Sequence, residues 1–210
     1  VIKLRQDLQN RNCEKLEDIA DVIFIRNVRA LLQEKAKHGE YIIIGSKNIR
    51  DNKIHFSNND EDFCSKNTLE KYPEFSQYIL KRGDVLISVF GEIKWAIYDG
   101  DDNFAIASPS ISIVRAKGGF ENHFKMFFGS SIGRNLLEKQ LQMFSTTGGA
   151  GFQQLSKQTL LQIRVPDTQS MEIAENLNQF EDFVAKIKAL FKECGWNIDP
   201  IYVDEDSRSD

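Results

Sequence analysis

The sequence predicts a mixed fold of α/β class, α+β in type: a meander of short strands followed by a long C-terminal helix. Three observations predict it. Residues 82–116 carry the densest β signal, residues 122–142 switch to helical period, and residues 173–191 repeat apolar side chains at heptad spacing.

The elements follow in chain order. Residues 1–12, VIKLRQDLQNRN, read as a polar helical remnant or linker with Ile2, Leu4 and Leu8 as apolar positions. LEDIADVIFI turns apolar, and VRALLQEKAKHG predicts a short helix ended by Gly39. YIIIG is a β-rich run that reads as a buried strand. Asp51-Asn52 is a turn signal before a short strand at Lys53–Phe56, and residues 57–70 read as a polar loop. Arg82-Gly83-Asp84 turns the chain into VLISVF, Gly91 breaks that strand, KWAIY follows as a second one, and FAIASPSISIVRA reads as a third strand with Pro109 marking an edge or bulge. Asn122 and Ser131 are expected N-caps for the two helical runs, and Ser156 for a further turn. Residues 145–151, STTGGAG, form an expected flexible tip, and LQIRVP closes as a strand stopped by Pro166.

The last helix has the clearest pattern. Ile173, Leu177, Phe180, Val184, Ile187 and Phe191 are separated by 4, 3, 4, 3 and 4 residues, an a/d seam ended by Gly195. Such a seam either packs on its own domain or pairs with a helix elsewhere. The domain boundaries read as 1–12 remnant, 13–168 globular body, 169–194 helix and 195–210 acidic tail.

Composition excludes several classes. The chain has 210 residues with 41% hydrophobic and 28% charged, enough for one compact domain with an appendage. No apolar run is long enough for a membrane span, and a cytoplasmic location is expected. Cys13, Cys64 and Cys194 lie far apart and form no metal-type pair, and only His38, His55 and His123 are present, so neither a metal nor a cofactor is expected. The net charge of −4 leans against nucleic acid. Residues 199–210 hold five acids and one base, however, and without them the body has 26 bases and 26 acids. A neutral body binds DNA through local patches. Methyltransferase, P-loop and nucleophile-elbow motifs are absent from the sequence.

Five segments in order carry a resemblance: LEDIADVI, YIIIGSKNIRDNKI, LKRGDVLISVFGEIKWAIY, HFKMFFGSSIGRNLLEKQ and GGAGFQQLSKQTLLQIRVP. Together, over about residues 14–190, they resemble a target recognition domain of the specificity (S) subunit of type I restriction-modification enzymes. Two departures stand out: Lys94 replaces a family glycine, and VPDTQSMEI only partly keeps the usual entry to the spacer helix.

The resemblance implies a non-catalytic reader of double-stranded DNA whose helix, 169–194, docks modification (methyltransferase) and restriction subunits or pairs in a homodimer. It implies a half-subunit, or the last half of a longer chain. Base-edge readout needs donors and acceptors on loops, held in register by phosphate contacts. The DNA-binding candidates are Arg26, Arg29, Lys47, Asn48, Arg50, Lys53, Lys94, Thr146, Thr147, Gln153 and Gln154. Two other readings compete. Asp84 with Glu92-Ile93-Lys94 mimics the D…ExK signature of metal-dependent nucleases, whose carboxylates hold Mg²⁺. A protein-interaction module acting through the heptad helix is the other.

Overall fold

The computed structural model describes residues 13–25, 38–56, 62–102, 104–144, 146–147 and 153–193. The expectations for residues 1–12, the helix at 26–37, the loop tip at 148–152 and the tail lie outside them.

Two strands at the start, β1 (Cys13–Lys15) and β2 (Ala20–Phe24), flank a single helical turn, α1 (Leu16–Ile19). β3 (Tyr41–Ile44) leads through a 3₁₀ turn at Ser46–Asn48 into a hairpin, β4 (Ile49–Arg50) and β5 (Lys53–Ile54). The expected loop at 57–70 is in part structured. β6 (Asp62–Cys64) pairs with β3, and Ser65 caps α2 (Lys66–Lys71) by accepting from the Thr68 amide at 3.2 Å. The polar composition hid a three-residue edge strand and a helix held by its cap.

β7 (Val85–Ser88) and β8 (Trp95–Ile97) form the expected antiparallel pair. The third expected strand divides at Pro109. β9 (Ala105–Ala107) runs parallel to β3, while β10 (Ile111–Ala116) pairs antiparallel with both β2 and β7. A four-stranded sheet in the order β2–β10–β7–β8 therefore stands beside a three-stranded sheet in the order β6–β3–β9.

Alternation explains why β7 is apolar through Val85, Leu86 and Ile87. Val85 and Ile87, with Trp95, Val22 and Val114, face one cluster built with Phe124, Phe127, Phe128, Leu137 and Leu141. Leu86, with Ala96, Tyr98, Ile111 and Ile113, faces a second cluster built with Ile43, Ile44 and Ile106. A strand covered on both faces reads as a continuous run.

The helical layer is α3 (Glu121–Gly129) and α4 (Ser131–Phe144). Phe120 occupies the N-cap of α3, so the expected Asn122 cap lies two residues further on, within the first turn. For α4 it is Ser130, one residue before the expected Ser131, that accepts from the Gly133 amide at 3.0 Å. A Cβ on Gly133 would stand 1.8 Å from the Phe127 carbonyl oxygen, which fixes glycine where the two helices meet. A small hairpin follows, β11 (Thr146–Thr147) and β12 (Gln153–Gln154). Ser156 caps α5 (Lys157–Leu161) as expected, and β13 (Arg164–Pro166) closes the body against β1.

The final helix, α6, spans Thr168–Glu193, about 39 Å at 1.5 Å per residue. Asp167 opens it by accepting from Ser170 N at 2.7 Å. Met171 in its first turn is buried in the body's core.

Candidate nucleic-acid interface

One end of the strand pair gathers loops that are distant in sequence. β3 and β9 are parallel, so the segments leaving them, 45–48 and 108–110, emerge together. There the Ser46 amide donates to Ser110 Oγ at 3.1 Å, and the Ser108 and Ser110 hydroxyls lie 2.8 Å apart. β7 reaches the same end, since Val89 N donates to the Ser110 carbonyl at 3.0 Å. β12 joins it, because Leu155 N donates to the Val89 carbonyl at 3.1 Å and Phe90 bridges Gln154 in antiparallel fashion. β2 also ends here, with Phe24 opposite Ser112. Arg26 and Arg29, next in sequence, lie outside the described residues.

The 89–94 turn at this end is tightly braced. Ser88 Oγ donates to the Glu92 carbonyl and accepts from the Lys94 amide, both at 2.7 Å. Gly91 takes a φ of +78°, which only glycine adopts cheaply. Lys94 pairs with Glu92 at 2.9 Å on the surface.

The hairpin β4–β5 packs beside β8. Asp51 and Asn52 have φ of 50° and 58°, the left-handed pair of a two-residue hairpin turn. This turn places Arg50 directly opposite Lys53, both exposed. Like charges opposite each other repel, so an anion between them is stabilising. Neither has an ion-pair partner among the described residues. Asn52 and Lys53 also line an open cleft of about 510 Å³, whose other walls include Trp95, Phe128 and Arg134.

The structure therefore brings Lys47, Lys94 and the backbone of Thr146–Thr147 and Gln153–Gln154 to one end, with Arg50 and Lys53 on the hairpin beside it. The side chains of Thr146, Thr147 and Gln153 lie outside the described residues, whereas Gln154 is exposed. Lys47 stands 3.8 Å from Asp62. Asn48 is a correction. It is buried, its Oδ1 accepts from Gly45 N at 2.9 Å, and its Nδ2 donates to the His55 carbonyl at 3.3 Å. Its amide closes the turn and the hairpin base, so both its oxygen and its nitrogen are engaged within the protein. Sequence reasoning also missed Ser46, Ser110 and Arg134, while Ser108 is buried like Asn48. Pro109 marks an edge or bulge beside Ser110, but nothing local to Arg134 places it in one cleft with Lys53.

The D…ExK reading is not built. Asp84 and Glu92 lie at opposite ends of β7, separated by about 13 Å of strand. The Asp84 carboxylate is 1% exposed and takes Arg115 in a two-pronged grip, Nε to Oδ1 at 2.8 Å and Nη2 to Oδ2 at 2.6 Å. Oδ2 also accepts from the Lys81 amide at 2.8 Å. That bonding and nearby acids push the Arg115 guanidinium further up. No cluster suited to a metal ion occurs among the described residues.

On α6 the seam is only partly described. Ile173 is exposed, and Val184 and Ile187 are half-buried, while the side chains of Leu177, Phe180 and Phe191 lie outside the described residues. Phe183 and Leu190, one heptad apart, are exposed alongside it. None of the described side chains from 182 to 193 is buried. No helix of the described residues is long and apolar enough to cross a membrane.

The described residues form a mixed body around a four-stranded and a three-stranded sheet, followed by a long helix. The family model for the type I restriction modification DNA specificity domain matches residues 11–193, and the chain belongs to that family. No curated protein matches it. Among solved structures, the chain is similar to one on complex assembly and conformational transition of the type I R-M system, at 15% identity and a TM-score of 0.50, covering 92% of this chain and 47% of that one. It is also similar to the HsdS subunit from Thermoanaerobacter tengcongensis (14%, TM-score 0.48, 90% and 45%). A third is the type I S subunit from M. genitalium (10%, TM-score 0.46, 86% and 41%). The first of these likenesses shows a shared fold. The chain spans less than half the length of each.

Proposed function

We propose that residues 13–168 read double-stranded DNA for a restriction-modification system, and that α6 couples this reader to the methyltransferase and restriction subunits that do the chemistry. The observation that carries the reading is the convergence of the 45–48, 89–94, 108–110 and 153–154 segments on one end of the sandwich. Hydroxyls, an exposed amide and cations meet there, the donor set that phosphates and base edges require. The Arg50–Lys53 pair supplies a phosphate clamp beside it. The helix would meet its partner through Ile173, Leu177, Phe180, Val184, Ile187 and Phe191, with a second copy of the chain as one such partner.

Anisotropy of the full chain with a mixed-sequence duplex, over a salt series, tests this. Affinity should fall steeply with salt, with log K against log salt having a slope of about −0.9 per phosphate contacted. Replacing Arg50 and Lys53 together with Ala should flatten that slope by about two, uniformly across sequences. Binding that ignores salt, or no binding at low salt, would overturn the reading.

A further inference from the structure

Besides Phe183 on α6, the aromatics Phe90, Phe56 and Phe104 of the body are left in solvent, 56%, 46% and 48% exposed. A single exposed aromatic is ordinary on a protein surface. Phe90 differs from the other two in its setting. Phe56 and Phe104 border a small hollow with Asp99, which also lines the Lys53 cleft, and Asp101, which pairs with Arg82, so neither ring stands among the converging loops. Phe90 instead tops the 89–94 turn, between the bridge to Gln154 and the Lys94 side of that turn.

Its backbone is held on both sides. Val89 is fixed to Ser110 and Leu155, and the Ser88 hydroxyl ties residues 92 and 94. The aromatic therefore stands on a rigid peg, so little further entropy is lost when it meets a ligand. A flexible tip would have let the ring fold back onto the body, where burial would have stabilised it by roughly 2 kcal/mol.

Resting on the DNA-reading assignment above, we propose that Phe90 is an apolar wedge that enters a base step of the bound duplex. Lys94 and the Arg50–Lys53 pair would anchor the flanking phosphates. Proteins that insert an apolar side chain between base pairs unstack the step and kink the duplex, and so favour steps that open easily. Phe90 would thus add sequence preference without a hydrogen bond.

The test uses the full chain and a randomised duplex pool from which the wild type enriches its preferred duplexes. Phe90→Ala should bind the enriched duplexes about ten- to hundred-fold more weakly, the loss typical of a removed stacking contact. Its binding to the unselected pool should fall far less, and its salt slope and unfolding curve should be unchanged. Phe90→Leu should recover most of the preference, since an aliphatic wedge also unstacks a step. A fluorescent purine analogue at the responsive step should brighten with wild type and Phe90→Leu only. A Phe90→Ala chain with the wild-type ratio of enriched to unselected binding would overturn the wedge. So would an unchanged ratio accompanied by lost self-association, which would make Phe90 a protein contact. A wild-type chain that binds no duplex at all removes the DNA-reading assignment first and the wedge with it, a result distinct from the other two.

Discussion

At the N-terminal end of β7, Asp84 is buried and gripped by Arg115 through bonds of 2.8 and 2.6 Å; at the C-terminal end, Glu92 meets Lys94 at 2.9 Å in the open. Both are carboxylate–cation pairs on one short strand. Asp84 has no water to fall back on, so its carboxylate depends on the half-buried Arg115. The exposed pair is screened, and each member can exchange its partner for water or for another ion. A phosphate could therefore replace Glu92 on Lys94 at little cost, whereas nothing could replace Asp84 on Arg115. The strand thus has a structural end and an end available to a ligand.

The largest effect should come from Asp84→Ala, which leaves the Arg115 guanidinium half-buried and unpaired. Urea unfolding should show a loss of about 3 kcal/mol or more. A loss under about 1 kcal/mol would put the two ends on the same footing and break the contrast.

Tyr98 probes the same structural end, because its amide donates to the Asp84 carbonyl at 2.8 Å and its hydroxyl to the Asp101 carbonyl at 2.8 Å. Burial first, then Asp101, Asp102, Asp99 and Asp84, push its phenol above the ordinary value of 10.0. The folded state therefore holds the proton more tightly than the unfolded chain does. Its stabilising share is fully present below pH 10 and is lost as pH rises through the raised value. Tyr98→Phe should cost about 1 kcal/mol at neutral pH and remove this alkaline loss. Unfolding midpoints measured across pH 10 in both proteins would show it.

Glu92→Gln should have the smallest effect on stability, within about 0.5 kcal/mol. It should tighten duplex binding roughly two- to five-fold by freeing Lys94. Equal affinities would mean that Lys94 meets no phosphate, sharpening the comparison to one of stability alone.

Legibility followed the range of the forces involved. The Asp51-Asn52 turn, the Ser156 cap and the β7–β8 pair were readable, since each depends on a few neighbouring residues. β6 and α2 were missed because their polar residues look like a loop until β3 supplies a partner. Asn48 reads from its local sequence as a ligand-facing amide. An exposed amide and one that closes a turn have the same local sequence, and burial alone separates them.

The sequence by itself determined the class of the fold, the long heptad helix and, through five ordered segments, the family. These are written in local propensity and apolar period, which act over three or four residues. Only the tertiary structure decided that Ser46, Phe90, Ser110 and Gln154 share one end while Asp84 anchors the other. That outcome depends on the split at Pro109, which sends β9 and β10 into different sheets. It depends equally on which faces of those sheets exclude water together. Contacts between segments tens of residues apart leave no periodic trace in the chain that makes them.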